Sequence, residues 1–186
     1  KNFRNDIYED YKANRSDAPD DLIPQFEYIR KSVEAFNIPA VEMINYEADD
    51  LIATYSKQIT KLGSDVTIVS SDKDLMQLHD KKVRIYDPMK NKFINKEDVI
   101  AKFGVTSDKV IDVQSLAGDS SDNVPGVPGI GVKTAAELIN KFGSLEELLK
   151  NAETIKQNKR RETIIENKDK ALILSLIHIS EPTRRS

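Results

Sequence analysis

The sequence predicts an α/β fold, with a central, mainly parallel sheet flanked by helices and a C-terminal helical region built on a glycine hairpin. Three observations carry that expectation. Val66-Thr67-Ile68-Val69-Ser70 is a continuous β-branched run of the kind that fills a central parallel strand covered on both faces. Apolar residues recur every three or four positions before it, at Leu51, Ile52, Tyr55, Ile59 and Leu62, and after it through Ile111 and Leu116. Pro125 to Gly131 then places three glycines and two prolines in seven residues, directly before the helical pattern Val132 to Phe142.

At 186 residues the chain can bury one substantial core and a small second lobe. It has no cysteine, which excludes disulfides and thiolate metal sites and makes a reducing compartment, the cytoplasm, the default expectation. No apolar run approaches the roughly 20 residues that span a bilayer, and the basic N-terminus has no signal-peptide apolar segment. A soluble monomer without a membrane partner is expected. The net charge of −3 and pI near 5.5 argue weakly against a nucleic-acid partner. Acids gathered at one site would leave the remaining surface more basic than the total, and Lys and Arg do cluster at Lys1 to Arg15, Lys81 to Lys96 and Lys156 to Arg161. For Lys81 to Lys96 a solvated face is the preferred reading.

The elements follow in order. Arg4, Tyr8, Tyr11, Lys12 and Arg15 recur at three, four and seven residues, so a helix would show several on one face. Cations interleaved with aromatic rings suit single-stranded or frayed DNA, where charge holds the backbone and a ring stacks on a base. Ser16 to Asp21 reads as a loop, and Pro24 falls in the first turn of a helix whose Ile23, Phe26, Ile29, Val33 and Phe36 form one buried face. Ile38 to Ile44 reads as a short buried strand. The next helix carries Glu47, Asp49 and Asp50 in its first turn and stops at Gly63. Strand 66–70 emerges into Asp72 and Asp74. Val83 to Tyr86 and Phe93-Ile94, joined by a turn at Asp87 to Asn91, read as an edge hairpin. Asn95 caps a helix closed by Gly104, Thr106 starts the helix through Leu116, and Ser144 opens a capping box after Gly143. The expected boundaries are an α/β region over 1–104, a hairpin region over 105–175 and a tail over 176–186. From Ile179 onward the sequence loses periodicity and resembles translated adapter read-through, so it carries no fold argument.

The chemistry concentrates in seven acids in three clusters, Glu47/Asp49/Asp50, Asp72/Asp74 and Asp119/Asp122, each at a strand end or just before the hairpin. Such carboxylates also serve as helix-capping charge when they do nothing else. An all-oxygen donor set suits Mg²⁺ or Mn²⁺ rather than zinc. A pair of such ions about 4 Å apart can hold both sides of a phosphodiester. Here Glu47, Asp49 and Asp50 are assigned to the first ion, Asp119 and Asp122 to the second, and Asp72 and Asp74 lie between. Gly126, Gly129 and Gly131, with Lys133 and Thr134 at the following helix start, present amides and charge to a phosphate.

Leu116 to Thr134, with its Gly-Asp-Ser-Ser-Asp-Asn run and Gly-Val-Pro-Gly-Ile-Gly hairpin, resembles a helix-hairpin-helix module with a metal motif in front. With Glu-Ala-Asp-Asp at Glu47 to Asp50 and Asp-Lys-Asp at Asp72 to Asp74, the chain resembles the 5′-nuclease family from Phe3 to about Leu174. This family comprises flap endonucleases and the 5′ to 3′ exonuclease domains found at the N-terminus of bacterial DNA polymerase I. The resemblance implies a structure-selective 5′ nuclease that cuts DNA at 5′ flaps, nicks or gaps, held by the phosphate backbone. It implies that Arg4, Lys12 and Arg15 act at the scissile phosphate, that Tyr11 stacks beside the cut, and that K⁺ bridges hairpin and phosphate with Ser121 contributing. It also implies a missing first third carrying two further metal-site aspartates, so that the fragment is expected to be poorly stable and weakly active or inactive. A polymerase domain elsewhere in the parent chain is compatible with it.

Two rival readings differ in class. A nucleotide-binding ATPase would need Lys directly after the last glycine of its phosphate loop, whereas Val132 separates Gly131 from Lys133. A non-catalytic, sequence-independent DNA-binding module would need only the hairpin.

Overall fold

The computed structural model describes residues 2–180. In its first half, β1 (Val66–Val69) runs parallel to β2 (Val83–Asp87), and β3 (Lys92–Ile94) is antiparallel to β2. The register aligns Ile68, Ile85 and Ile94 in one row across the three strands, and all are buried. The β2–β3 hairpin forms as its sequence predicts, with left-handed Asn91 in the turn and Tyr86 edge-on to Phe93 across the pair.

The helices are α1 (Phe3–Ile7), α2 (Gln25–Ala35), α3 (Ala48–Lys61), α4 (Lys96–Phe103), α5 (Val110–Ala117), α6 (Val132–Phe142), α7 (Leu145–Lys150), α8 (Asn158–Glu166) and α9 (Lys168–His178). Their ends follow from local chemistry. Asn95 and Asp98 cap α4 reciprocally, and Gly104 closes it with a left-handed φ of 73°. At the centre lies α5, whose Val110, Val113 and Leu116 are wholly buried against α6 and α9. Burying each such side chain contributes about 1.5–3 kcal/mol before entropy is counted. One continuous core runs from Ile68 in the sheet through Phe103 and Val105 to Ala171, so the two halves share an interior.

Several expectations for the front of the chain fail. The first helix stops at Ile7 and residues 9–14 form turns, with Lys12 itself at φ 58°, so Arg4, Tyr8, Tyr11, Lys12 and Arg15 do not share a helix face. The segment is polar apart from its tyrosines and has no apolar stripe to stabilise a helix by packing. α2 forms, but it buries none of its residues, and Phe26, Ile29 and Phe36 are exposed. Residues 38–44 form no strand, and Ile38, Val41, Met43 and Ile44 are exposed. β1 is accordingly neither central nor covered on both faces: among the described residues it pairs with β2 alone, at the sheet edge, and Thr67 and Val69 on one face are exposed. A strand is stable only with a ladder partner, and none lies beside 38–44 or the open edge of β1 among the described residues.

At the other end α9 continues to His178, past the boundary expected at 175, because Leu174 and Ile177 pack with Tyr11 and Val124. Residues 181–186 of the expected tail lie outside the described residues. No helix among the described residues is long and apolar enough to cross a membrane.

Candidate metal centre and glycine hairpin

Three distant segments bring acidic side chains to one place. Glu47 precedes α3 and forms its cap with Asp50, which accepts the Glu47 N–H at 2.9 Å. Beyond β1, Asp72 accepts the Asp74 N–H at 2.9 Å and opens a 3₁₀ turn over 74–78. After α5, Gly118–Asp119 bridges Val124–Pro125 as a two-residue ladder, and a 3₁₀ turn carries Asp122 between them. Glu47, Asp49, Asp74 and Asp122 line one pocket, with Arg4 and Tyr11 in its wall.

The cations of the front segment enter this acidic group. Lys12 Nζ lies 2.7 Å from Glu47 and 3.7 Å from Asp122, and Arg15 Nη2 lies 2.7 Å from Asp122. The left-handed turn at Lys12 is tied there by its own N–H, which donates to the Asp122 carbonyl at 2.9 Å. Tyr11 is buried, and its hydroxyl stands 3.0 Å from Glu47 and 3.1 Å from Asp122. Burial, with the two neighbouring carboxylates, pushes that phenol well above its ordinary pKa. Lys73 pairs with Asp119, which also accepts the Ser121 N–H at 2.9 Å. Burial alone would raise the Asp119 carboxyl, but the Lys73 and Ser121 hydrogen bonds outweigh it and hold the pKa below the usual value.

At Asp49 and Asp74 the compensating groups do not outweigh burial. Burial, then repulsion from Asp72 and Glu47, raises Asp49 to about 6. Burial raises Asp74 to about 6 as well, with Asp72 and Asp119 adding to it and a 2.7 Å hydrogen bond from Gln114 opposing. This unmet negative charge on oxygen donors fits a hard divalent cation. As the side chains stand, no three acidic or imidazole groups among the described residues converge as metal ligands. The ammonium and guanidinium groups of Lys12, Arg15 and Lys73 occupy carboxylate lone pairs that a metal would take.

Two residues stand apart from their sequence-based roles. Arg4 is buried and donates to Asp50 through both Nη atoms, at 2.8 and 2.7 Å, and through Nε to the Ile177 carbonyl at 2.7 Å. Burial lowers its pKa, but the Asp50 carboxylate more than offsets this. Arg4 is thus turned away from any phosphate at the pocket mouth, and Asp50, with no exposed surface, is committed to Arg4 rather than free for an ion. Tyr11, expected to stack on a base, has its ring buried with Val124, Leu174 and Ile177. Helical periodicity placed Arg4 and Tyr11 on one shared face; in the structure Arg4 is buried from α1 itself, and the turn at 9–14 carries Tyr11 inward separately.

Sequence reasoning also missed supporting groups. Lys73 was visible between two aspartates, and its pairing with Asp119 could have been anticipated. Gln114 carried no signal, since a lone Gln on a buried helix face has many fates. Asp87, assigned only to a turn, is fully buried and accepts from Ser71 Oγ at 2.7 Å, anchoring the loop that leads to Asp72.

The hairpin separates its glycines into two kinds. Gly126 and Gly118 meet backbone to backbone: a Cβ on Gly126 would lie 2.3 Å from the Ala117 carbonyl carbon, so this glycine permits close packing. Gly129, at φ 73°, and Gly131, which caps α6, have open space where a Cβ would stand. With exposed Lys133 and half-buried Thr134 they present a backbone surface suited to phosphate. Ser121, expected to contribute to a K⁺ site, turns its hydroxyl to Asp119 instead.

An α/β unit with an acidic pocket at strand and helix ends, joined through one core to a glycine hairpin between helices, defines the class. Comparison with known proteins agrees. The family model "5'-3' exonuclease, N-terminal resolvase-like domain" matches residues 1–104, and "5'-3' exonuclease, C-terminal SAM fold" matches residues 105–182. The chain belongs to the 5'-3' exonuclease family. It is 58% identical over 171 residues to DNA polymerase I of Rhizobium leguminosarum, covering 92% of this chain and 17% of that protein. It is 44% identical over 153 residues to the 5'-3' exonuclease of Aquifex aeolicus (strain VF5), covering 82% of this chain and 53% of that one. The chain therefore spans between 17% and 53% of the length of these relatives. The fold is shared with T5 5'-exonuclease, solved with bound zinc (TM-score 0.84, 24% identity, 96% of this chain and 70% of that chain). It is shared more distantly with the catalytic core of Rad2 in complex with DNA substrate (TM-score 0.56, 19% identity, 95% and 61%).

Proposed function

We propose that this chain is the metal-binding and duplex-holding part of a structure-selective 5′ nuclease that hydrolyses DNA phosphodiesters at 5′ flaps, nicks or gaps. One observation carries the reading. The carboxylates of Glu47, Asp49, Asp74 and Asp122 line a single pocket, Lys12 and Arg15 lie against it, and the loop that carries Asp122 continues into the open glycine hairpin.

Glu47 and Asp49 would hold one Mg²⁺ or Mn²⁺ ion, Asp119 and Asp122 a second, with Asp72 and Asp74 between. Asp50 and Arg4 support this group from behind as a buried pair. Bound divalent ions supply Lewis acidity, lowering the pKa of an attacking water and stabilising a leaving 3′ oxygen. Lys12 and Arg15 are the cations placed to hold the non-bridging oxygens of the scissile phosphate. The Tyr11 hydroxyl orients Glu47 and Asp122 in this reading. Gly129, Gly131, Lys133 and Thr134 grip the duplex through its backbone, which makes affinity salt-dependent and blind to sequence. A K⁺ ion at the hairpin would draw on oxygens other than the Ser121 hydroxyl. In the parent protein this segment would precede a polymerase domain and act in the cytoplasm, as one chain.

The pairing of the acids with Lys12, Arg15 and Lys73 favours one other reading, a DNA-binding module whose carboxylates only neutralise cations. Calorimetric titration separates the two. The nuclease reading expects stoichiometric Mg²⁺ or Mn²⁺ uptake, lost in Asp119→Ala with Asp122→Ala. It also expects Mg²⁺-dependent release of short products from a labelled 5′ flap when the chain is joined to the N-terminal segment of a longer relative. Salt-sensitive DNA binding with no metal uptake would leave only the module.

A further inference from the structure

The sheet ends at β1, and that end is open among the described residues. The Val66 and Ser70 N–H groups donate to the Lys82 and Tyr86 carbonyls at 2.8 and 3.0 Å, so the ladder to β2 runs from 66 to 70. Backbone groups alternate in direction along a strand, so the N–H and C=O of Thr67 and Val69 point away from β2, along the open edge. Both residues are exposed. Val69, Tyr86 and Phe93 stand in one row across the outer face of the sheet, with Val69 and Phe93 66% and 52% exposed.

This edge is complementary to itself. A two-fold axis through Ile68, perpendicular to the sheet, sets two copies of β1 antiparallel and keeps the same face of each outward. Thr67 of either copy then stands opposite Val69 of the other, and the outward N–H and C=O groups of both residues all find partners. No like charges meet. Residues 66–70 carry no charged side chain, and Asp65 falls opposite Ser71. On the outer face Arg84 lies one strand further in, so the two Arg84 groups stand three strand spacings apart, about 14 Å, beyond the screening length of about 8 Å at physiological salt. The pairing also closes, because an isologous contact uses both β1 edges. The far end of the sheet, β3, is only three residues long, and its Lys92 is held by Asp98 at 2.7 Å.

We propose that two copies of this chain associate through β1, continuing one sheet across both molecules about an axis centred on Ile68. The occupant is a second copy rather than an apolar helix, because what the edge lacks is a row of backbone partners. The interface is small, so the association belongs to the weak class. It concerns this chain as it stands: in a longer protein, any segment that adds a strand at β1 competes with the second copy for the same edge. The assignment does not depend on the nuclease reading.

The test is sedimentation equilibrium of the 186-residue chain. Between about 1 μM and 1 mM, where small interfaces associate, the mass should rise from 21.0 kDa towards twice that value and stop there. Thr67→Pro removes an outward N–H at a position where an edge strand tolerates proline, and should weaken association by about tenfold or more. Two charge variants decide the matter even if the proline variant folds poorly. Thr67→Lys with Val69→Lys sets like charges opposite each other across the axis and should leave a monomer. Thr67→Glu with Val69→Lys sets opposite charges there and should keep a dimer that weakens with added KCl. Both positions are exposed, so these variants should fold, as circular dichroism can verify. A mass of 21.0 kDa at every concentration overturns the proposal. So does a dimer unchanged in Thr67→Lys with Val69→Lys, which would move the contact to the exposed face of α2. Loss of association in both charge variants alike would refute the Ile68-centred pairing, and growth beyond the dimer would refute its closure; either result overturns the proposal.

Discussion

Arg4 and Asp50 form a buried two-pronged ion pair, Nη1 to Oδ2 at 2.8 Å and Nη2 to Oδ1 at 2.7 Å, that locks the front of the chain to the first turn of α3. Removing one partner leaves a charge without solvent or counter-charge. Arg4→Ala should therefore cost about 3–5 kcal/mol in chemical denaturation. Arg4→Met combined with Asp50→Leu should recover most of that loss, since the desolvation of both charges disappears. A single variant with wild-type stability would show that the pair does not form.

Asp49 and Asp74 set a pH dependence that a metal should reverse. Their folded pKa values of about 6 lie above the ordinary 3.8, so protonation favours the folded state. Their contribution is fully present below about pH 4 and lost as pH rises through 6. In metal-free buffer, the thermal midpoint of the wild type relative to Asp49→Asn with Asp74→Asn should fall between about pH 4 and pH 6. Millimolar Mg²⁺ or Mn²⁺ should restore the wild type at pH 7 and raise the double variant by clearly less, since of the two proposed ion sites only the Asp119 and Asp122 pair remains intact there. Equal metal response in both proteins would count against these carboxylates as donors.

Asp87 supports the middle acidic segment indirectly. It takes hydrogen bonds from Ser71 Oγ at 2.7 Å and from the Met89 N–H at 3.0 Å, and it pairs with Lys90 Nζ at 2.9 Å. Asp87→Asn should loosen the 70–74 loop and weaken divalent-metal affinity by about tenfold, as losses behind a ligand shell commonly do. Ser71→Ala should shift affinity in the same direction by less. Unaltered metal affinity in a folded Asp87→Asn protein would remove this residue from the site.

The hairpin glycines should separate by readout. Gly126→Ala forces a Cβ into the Ala117 backbone and should cost about 1–3 kcal/mol of stability. Gly129→Ala is strained by its positive φ, at about 1–2 kcal/mol, whereas Gly131→Ala should cost less, about 0.5–1 kcal/mol at a helix cap. Duplex affinity, corrected for the folded fraction, should suffer at Gly129 and Gly131, because a methyl there obstructs the backbone from outside. Equal effects at all three positions would contradict this division.

Where local pattern and burial agreed, the elements could be read directly. The β2–β3 hairpin, the capped α4 and the helices on either side of the glycine turn appear where turn residues, caps and periodicity placed them. The front of the chain resisted, because periodicity reports which side chains could share a face and is silent on whether anything covers that face. Phe26 and Ile29 recur as a buried stripe should, yet α2 lies exposed.

The sequence by itself determined the acidic motifs, the glycine hairpin and the family, because these depend on residue types at short spacing. Only the tertiary structure decided which acids stand open and which are spent: Asp50 on Arg4, Asp119 on Lys73, Glu47 and Asp122 on Lys12. It likewise decided that Tyr11 turns inward and that β1 stands at an open sheet edge. The reason is physical. A charge takes its partner from whatever the fold brings within a few ångströms, and those partners here lie from 35 to 110 residues away along the chain.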